Sequence, residues 1–275
     1  MNTPSDQPAH LALLLEVHRR FSTRADTADD IGTALPWLTL IRRSAPTPAG
    51  RGMLQPSMCM IVQGHKEMLV GDRVLHYGPA QYVQTGVAMP VAGRIVKATT
   101  TEPYYGLRVD IDPKEIAAFM LEMDLPPLPE RDDGSIVTVH RASEALLDVF
   151  LRLLRLLERP GDLPVLGRLI KQEIMYHLLT GPGGMSLRRA VAGGHHEQAV
   201  SRAISWIREH YDEPLRIAEL AQVVHLSPSV LHRRFKTATI MSPLQYQKQV
   251  RLLEARRRLM SGGAGSGDGG LSGWL

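Results

Sequence analysis

The sequence has few of the features that mark secreted and membrane proteins. Cys59 is the only cysteine in its 275 residues, so no internal disulfide can form and a reducing compartment is expected. No run of about 18 apolar residues occurs, and the polar start MNTPSDQPAH lacks the long apolar core of a signal peptide. We therefore predict a cytoplasmic protein that makes no membrane contact. Cys59 lies in an apolar, strand-like run, which favours a buried structural cysteine over a catalytic thiol.

Motifs for hydrolysis and metal binding are also missing. Neither Gly-x-Ser-x-Gly nor a zinc-protease pattern occurs. His65, Glu67 and His76 lie in the strand-like region without a His-x-His pair, which disfavours a metal-dependent cupin-type enzyme. The run from His195 to Glu197 has no further ligands nearby. We predict no catalytic residue, no metal and no cofactor.

Length and composition allow two domains, because 275 residues with 44% apolar and 22% charged side chains suit a globular protein. Between residues 35 and 112, short runs rich in Val, Ile, Thr, Met and Tyr alternate with turn residues. This texture predicts an antiparallel sandwich or small barrel, with a hairpin turn at Val70-Gly71-Asp72-Arg73. The predicted strands are Leu38–Arg42, Ser57–Gln63, Glu67–Val70, Arg73–Tyr77, Gln81–Thr85, Gly93–Thr99 and Tyr105–Asp110.

An interior of this kind can hold a small ligand. Met58, Met60, Tyr77 and Tyr82 are candidate lining residues, and plain core packing explains them equally well.

Helices are predicted to follow the strands. Asp112-Pro113 supplies an N-cap and a first-position proline. The helix Glu144–Leu157 carries two apolar stripes, which fit either core packing or a homodimer contact. A further helix is expected from Pro164 to Leu179, and the Gly-rich segment 181–196 is predicted to be an interdomain linker.

Positive charge is concentrated near the C-terminus. Residues 227–260 contain eight Lys or Arg against one acid, a local net charge of +7, whereas the whole chain carries +4 and the remainder therefore −3. Such a local excess indicates a nucleic-acid contact rather than general solubility.

The same region has the pattern of a helix-turn-helix. Ile217 to Val224 predicts one helix, and Ser227-Pro228 starts the next, with Leu231 and Phe235 facing inward. Ser242 and Gln245 form a capping box for a long third helix. A charged, solvated helix surface is the alternative explanation for the outer face. The predicted DNA-binding residues are Ser229, His232, Arg233, Arg234, Lys236, Lys248 and Arg251.

The segments IAELAQVVHLSPSVLHRRFK and MSPLQYQKQVRLLEARRRL resemble the first half of an AraC/XylS-type DNA-binding domain. PSMCMIVQGHKEMLVGDRVLHYGPAQYVQTGVAMPVAGRI resembles the N-terminal cupin-like domain of one bacterial subgroup of these regulators. The resemblance implies a transcription regulator with a sensing or dimerising domain. It implies that Ser229, His232 and Arg233 read bases while Lys236 and its basic neighbours hold the DNA backbone.

The resemblance also has gaps. The second helix-turn-helix unit of the family has no counterpart in this sequence. The Gly-rich residues 261–275 are expected to be a disordered tail. The family commonly has Gly where His225 and Ile240 stand, which puts the geometry near Ile240 in question.

The predicted fold is thus α+β with two domains: a cupin-like antiparallel β-barrel with flanking helices (1–180) and an all-α helix-turn-helix domain (197–260). A DNA-binding regulator controlled by a small effector is the leading hypothesis. A ligand-binding or dimerising module with weak or no specific DNA binding is the alternative.

Overall fold

The computed structural model describes residues 8–22, 30–123, 125, 137–192 and 197–262. The predicted tail, the proline cluster around residues 126–129 and the His195-His196 pair lie outside these ranges. The described strands are β1 Asp30–Gly32, β2 Leu38–Arg43, β3 Gly50–Leu54, β4 Ser57–Gln63, β5 His65–Val70, β6 Arg73–Tyr77, β7 Gln81–Thr85, β8 Met89–Lys97, β9 Tyr104–Asp110 and β10 Val139–Arg141.

These strands form two antiparallel sheets. One has six strands in the order β1-β2-β9-β4-β7-β10, and the other has four in the order β3-β8-β5-β6. The antiparallel β architecture is confirmed, but no ladder joins the two sheets within the described residues, so the predicted barrel is not closed. Only paired edge strands close a barrel, and here β1, β10, β3 and β6 remain edges.

Helices cover the outer face of the six-stranded sheet. They are α1 Pro8–Ser22, α2 Pro113–Glu122, α3 Glu144–Leu156, a π-helical turn Leu163–Gly167, α4 Arg168–Thr180 and α5 Gly184–Ala192. The predicted N-cap of α2 is confirmed, since the Lys114 amide donates to the Asp112 carboxylate at 2.8 Å. Ser143 caps α3 in the same way, because its hydroxyl accepts from the Leu146 amide at 3.2 Å. An apolar core fills the space between these helices and the sheet.

Both apolar stripes of α3 belong to this core. Leu146, Phe150, Leu153 and Leu154 of one stripe are at most 2% exposed, and Leu147 and Leu151 of the other are also buried. The residues of α3 that reach solvent are mainly charged, among them Asp148 and Arg152. The apolar surface that suggested a dimer contact through Glu144–Leu157 is therefore used within the chain.

The segment predicted as a linker is largely helical. Helix α5 lies inside it, and Leu187 is 1% exposed in the core on the six-stranded sheet. The side chain of Ala190 packs over Gly86, where an added Cβ would lie 2.6 Å away. A Cβ added at Gly181, Gly183 or Gly184 would lie within 2.6 Å of a neighbouring atom, so the chain passes too close to its surroundings for a side chain there.

Four helices form the C-terminal part: α6 Glu197–Glu209, α7 Ile217–Val223, α8 Pro228–Thr239 and α9 Pro243–Gly262. The capping box predicted for α9 is confirmed. The Gln245 amide donates to the Ser242 hydroxyl at 3.2 Å, and the Ser242 amide donates to the Gln245 side chain at 2.8 Å.

The helical part packs on the four-stranded sheet. Buried residues of α6 to α9 and of both sheets belong to one continuous apolar cluster. The hydroxyl of Tyr246 in α9 donates to the Ala88 carbonyl at 2.9 Å and lies 3.9 Å from the sulfur of Met53. Arg51 donates to the Gln249 side chain at 3.1 Å. The order of layers is thus helices, six-stranded sheet, four-stranded sheet and helical part.

Candidate DNA-binding interface

Helix α8 separates its residues cleanly between an inner and an outer face. Leu231 and Phe235 are fully buried, whereas Ser229, His232 and Arg233 are exposed. The predicted reading face is therefore open to solvent in a molecule whose helical part is packed on the sheet. Lys236 also lies on this exposed side.

Contacts from both ends fix the position of α8. The Val230 amide donates to the Ser227 hydroxyl at 3.4 Å, as the N-cap prediction requires. The ring of Phe235 meets the ring of Tyr246 edge to face at 5.4 Å between centroids. The Thr239 hydroxyl donates to the Phe235 carbonyl at 2.8 Å and accepts from the Met241 amide at 3.3 Å. A rigid platform therefore presents the outer face.

The two turns around α8 use the left-handed backbone region. His225, before α8, has φ +57°, and Ile240, after it, has φ +62°. A non-glycine residue is strained there, and a β-branched one most of all. The chain therefore keeps the turn geometry that glycine would adopt freely, at an energetic cost at Ile240.

The β5–β6 hairpin turn contacts the strained residue. Gly71 has φ +61°, as the hairpin prediction requires, and a Cβ added to it would lie 2.7 Å from the Ile240 carbonyl oxygen. Only glycine allows this approach. One turn of the β-sheet part thus touches the turn that ends α8.

The predicted phosphate-binding residues differ in their freedom to contact DNA. Arg233, Lys236 and Lys248 are exposed and form no ion pair with any residue in the described ranges. Arg234 is partly buried on α8. Uncompensated charge on one side of the helical part is what an electrostatic contact to a polyanion requires.

Arg251 is held differently. Its guanidinium donates to the carbonyls of Tyr211 at 2.5 Å and Glu213 at 2.6 Å, in the segment that joins α6 to α7. These bonds satisfy carbonyls beyond the end of α6. The geometry therefore favours a positioning role for Arg251 over the phosphate contact that its charge suggested.

The four candidate ligand residues do not share one cavity. Met58, Met60 and Tyr82 belong to the core on the helix side of the six-stranded sheet. Tyr77 belongs to the other cluster. Because side chains alternate along β4, Met58 and Met60 both point toward the helices. Burial raises the pKa of the Tyr82 hydroxyl to about 12. All four are core residues in this structure.

Within the described ranges, no three His, Cys, Asp or Glu side chains come together as a metal site. Cys59 faces the space between the sheets, and burial raises the pKa of its thiol. The helices in those ranges are too short or too polar to cross a bilayer.

The sequence reasoning missed the contacts that join the helical part to the sheet. Tyr246 was expected to pack, but its hydrogen bond to Ala88 and the pair Arg51–Gln249 have no periodic or motif signal. The strand β3 that carries Arg51 was also missed, because Gly50 and Gly52 give it weak strand character.

A β-sheet part joined to a helix-turn-helix with an open basic helix defines a class of transcription regulators. The model of the AraC-type transcriptional regulator N-terminus matches residues 34–186, and that of a helix-turn-helix domain matches residues 220–267. The first match alone spans more than half of the chain, so the protein belongs to the AraC family of transcriptional regulators. The family is one of transcriptional regulators.

Curated relatives agree with this placement. The HTH-type transcriptional activator RhaS of Salmonella schwarzengrund is 29% identical over 135 residues, which are 48% of this chain and 47% of RhaS. RhaS of Salmonella typhimurium is 28% identical over the same length, with the same shares covered. The chain spans about half the length of the curated relatives it matches.

Solved structures overlap only weakly. The AraC-like transcriptional activator CuxR has a TM-score of 0.32 at 15% identity, covering 81% of this chain and 78% of CuxR. ToxT from Vibrio cholerae has a TM-score of 0.30 at 12% identity, covering 78% of this chain and 97% of ToxT.

Proposed function

We propose that the protein binds double-stranded DNA sequence-specifically through α8 and regulates transcription in the cytoplasm. Ser229, His232 and Arg233 enter the major groove, where arginine can pair with both acceptors of guanine. Lys236, Arg234 and Lys248 hold the phosphate backbone. Arg251 supports the interface by fixing the segment between α6 and α7.

One observation supports this function most strongly. The outer face of α8 remains open and its basic residues remain unpaired among the described residues, although the opposite side of the helical part is packed against the sheet. The arrangement leaves a docking surface of one charge sign.

Control by a small effector in the β-sheet part is the second element of the proposal. The four-stranded sheet contacts the helical part directly through Tyr246 and Gly71. A ligand that displaces this sheet would therefore act directly on residues at the end of α8 and the start of α9.

The test is selection of binding sites from a pool of random duplexes by the purified chain. We expect one motif to be enriched. The enrichment should be lost in Arg233→Ala and retained in Lys248→Ala, because Arg233 is assigned to base contacts and Lys248 to a phosphate contact. A pool that stays random with the unmutated protein would contradict sequence-specific binding.

A ligand-binding or dimerising module is a second candidate function, and one observation favours it. A surface groove of about 480 Å³ is lined by residues of α3, α4 and the connecting segment that contains the π-helical turn, with Leu156, Leu166, Leu169 and Ile170 as its apolar members and Arg152, Arg155, Arg159 and Glu173 as its charged ones. Leu169 is 50% exposed, so apolar surface remains there for a second subunit although α3 itself is covered. Light scattering on the eluted protein tests this candidate, since a monomer at all concentrations would exclude the homodimer.

A further inference from the structure

A buried lysine lies between the two sheets. Lys66 is 7% exposed, and its neighbours Met68 and Val70 on the same face of β5 are buried in the apolar cluster. Alternation along the strand therefore directs the Lys66 side chain into the space between the sheets. Lysine is among the residues least often buried without a partner.

The cations around it have partners, but Lys66 has none. Arg43 pairs with Asp30 at 2.5 Å, and Arg108 lies 3.0 Å from the carboxylate of Asp110. No carboxylate or hydrogen-bond acceptor in the described parts of the chain contacts the Lys66 ammonium. Of these three cations, only Lys66 has no carboxylate partner among the residues that the structure describes.

A small cavity adjoins this lysine. Its volume is about 10 Å³, and its lining runs from buried Lys66 to Arg94, which is largely exposed. That volume admits one water-sized group. Arg94 marks the side on which the cavity approaches the surface.

The lining of this cavity also includes Arg43, which pairs with Asp30, and the hydroxyl residues Thr47 and Tyr104. The Thr47 hydroxyl accepts from the Ile95 amide at 2.9 Å, and its own proton has no acceptor among the described residues. The Tyr104 hydroxyl likewise donates to none of them. A cavity with an ammonium and two free hydroxyl donors, and no free carboxylate, is complementary to an anion.

We propose that this cavity is an anion site in which Lys66, Thr47 and Tyr104 bind the carboxylate head of a compact effector. This assignment deepens the proposed effector control and names the chemical class of the ligand. The cavity accepts one carboxylate oxygen, and the remainder of the molecule extends toward Arg94. The three basic side chains that line the cavity, Lys66, Arg43 and Arg94, disfavour a cation or a metal as occupant.

The energetic argument distinguishes this role from a structural one. A buried, unpaired amine costs stability, so a lysine with only a structural role would have an acceptor. Burial lowers the pKa of Lys66, Cys59 and Asp30 oppose this shift, and Arg43 and Arg108 reinforce it. An anion at the site would supply the missing acceptor and would favour the charged form of Lys66.

The test uses acetate as the probe, with the full chain and chloride at equal ionic strength as reference. Thermal unfolding is followed in unmutated protein, in Lys66→Met and in Lys97→Met. Lys97 is exposed on the neighbouring strand β8, so its substitution removes the same charge outside the cavity. Isothermal titration of acetate into the unmutated protein gives a readout that needs no variant.

We expect acetate to raise the unfolding midpoint saturably, by about 3 °C, in the unmutated protein and in Lys97→Met. Lys66→Met should show no saturable rise, and its midpoint without acetate should equal or exceed that of the unmutated protein. The titration should give one site per chain. Equal acetate responses in all three proteins, or no saturable binding to the unmutated one, would overturn the proposal.

DNA selection on the same preparations separates this proposal from the proposed function. An enriched motif without an acetate response overturns only the anion site. A saturable acetate response with a random pool overturns only sequence-specific DNA binding.

Discussion

At the scale of single residues, basic side chains of equal charge are expected to contribute differently to DNA binding. Arg233 is exposed and unpaired among the described residues, where a bidentate contact to guanine is possible. Arg233→Ala should weaken binding to the selected sequence by about 10- to 100-fold and binding to random DNA much less. Fluorescence anisotropy with both duplexes measures the difference. Equal losses on the two would make Arg233 a backbone contact.

Lys248 and Arg251 lie three residues apart on α9 but should respond differently to substitution. Lys248→Ala is expected to reduce the salt slope of DNA binding by about one unit, because one phosphate contact is lost. Arg251→Ala should lower the free energy of unfolding by about 1–3 kcal/mol, because the Tyr211 carbonyl loses the Arg251 donor and the Glu213 carbonyl keeps only the Gln247 side chain. Salt titrations and urea denaturation of both variants check the assignment. A stable Arg251→Ala with a reduced slope would restore Arg251 as a phosphate contact.

Ile240 is strained, and relief of that strain should be measurable. Ile240→Gly is expected to raise the free energy of unfolding by about 1 kcal/mol, because glycine adopts φ +62° without steric cost. Thr237→Gly inside α8 is the matched control and should destabilise by about 0.3–0.5 kcal/mol. Urea denaturation compares them. A less stable Ile240→Gly would mean that the Ile240 side chain contributes more by packing than its backbone costs.

At the scale of elements, the contact between α9 and the four-stranded sheet decides how the helical part is held. Tyr246 is fully buried, and its hydroxyl donates to the Ala88 carbonyl. Tyr246→Phe should cost about 1–2 kcal/mol, because that buried carbonyl loses its donor. Tyr176→Phe is the control, since Tyr176 is 48% exposed. Amide exchange should quicken in α9 and β8 of Tyr246→Phe alone, and unchanged exchange would mean that the contact adds no stability.

Elements with local signals could be predicted from the sequence, and elements fixed by distant contacts could not. The strands Ser57–Gln63, Arg73–Tyr77 and Gln81–Thr85 have the predicted bounds, because apolar runs and turn residues define them. The caps of α2, α8 and α9 were predicted from the local pairs Asp112-Pro113, Ser227-Pro228 and Ser242 with Gln245. Strand β3 and helix α5 were missed, since glycines around both resemble loop and only tertiary packing orders them.

The features of the candidate site are likewise of two kinds: some follow from local sequence patterns, and others depend on distant contacts. The open face of α8 follows from its inner pair Leu231 and Phe235, which the sequence displays at helical spacing. The structural use of Arg251 does not, because its acceptors belong to a segment about 40 residues earlier in the chain. The unpaired state of Lys66 also depends on which strands meet across the two sheets, and no local pattern encodes that pairing.

At the scale of the whole molecule, a sheet-bound helical part carries an exposed basic helix. The local net charge of +7 over residues 227–260 attracts any DNA, so affinity alone does not demonstrate reading of sequence. The contact through Tyr246 and Gly71 holds α8 in one orientation, and a fixed orientation is what base contacts need.

The most direct test of sequence-specific binding is the ratio of dissociation constants for the selected duplex and its scrambled version. Fluorescence anisotropy at about 150 mM salt gives both values, under conditions in which screening weakens the non-specific attraction. The account predicts that the selected duplex binds at least about 10-fold more tightly, because one arginine–guanine pair already contributes about 1–3 kcal/mol. Equal dissociation constants for the two duplexes would contradict it.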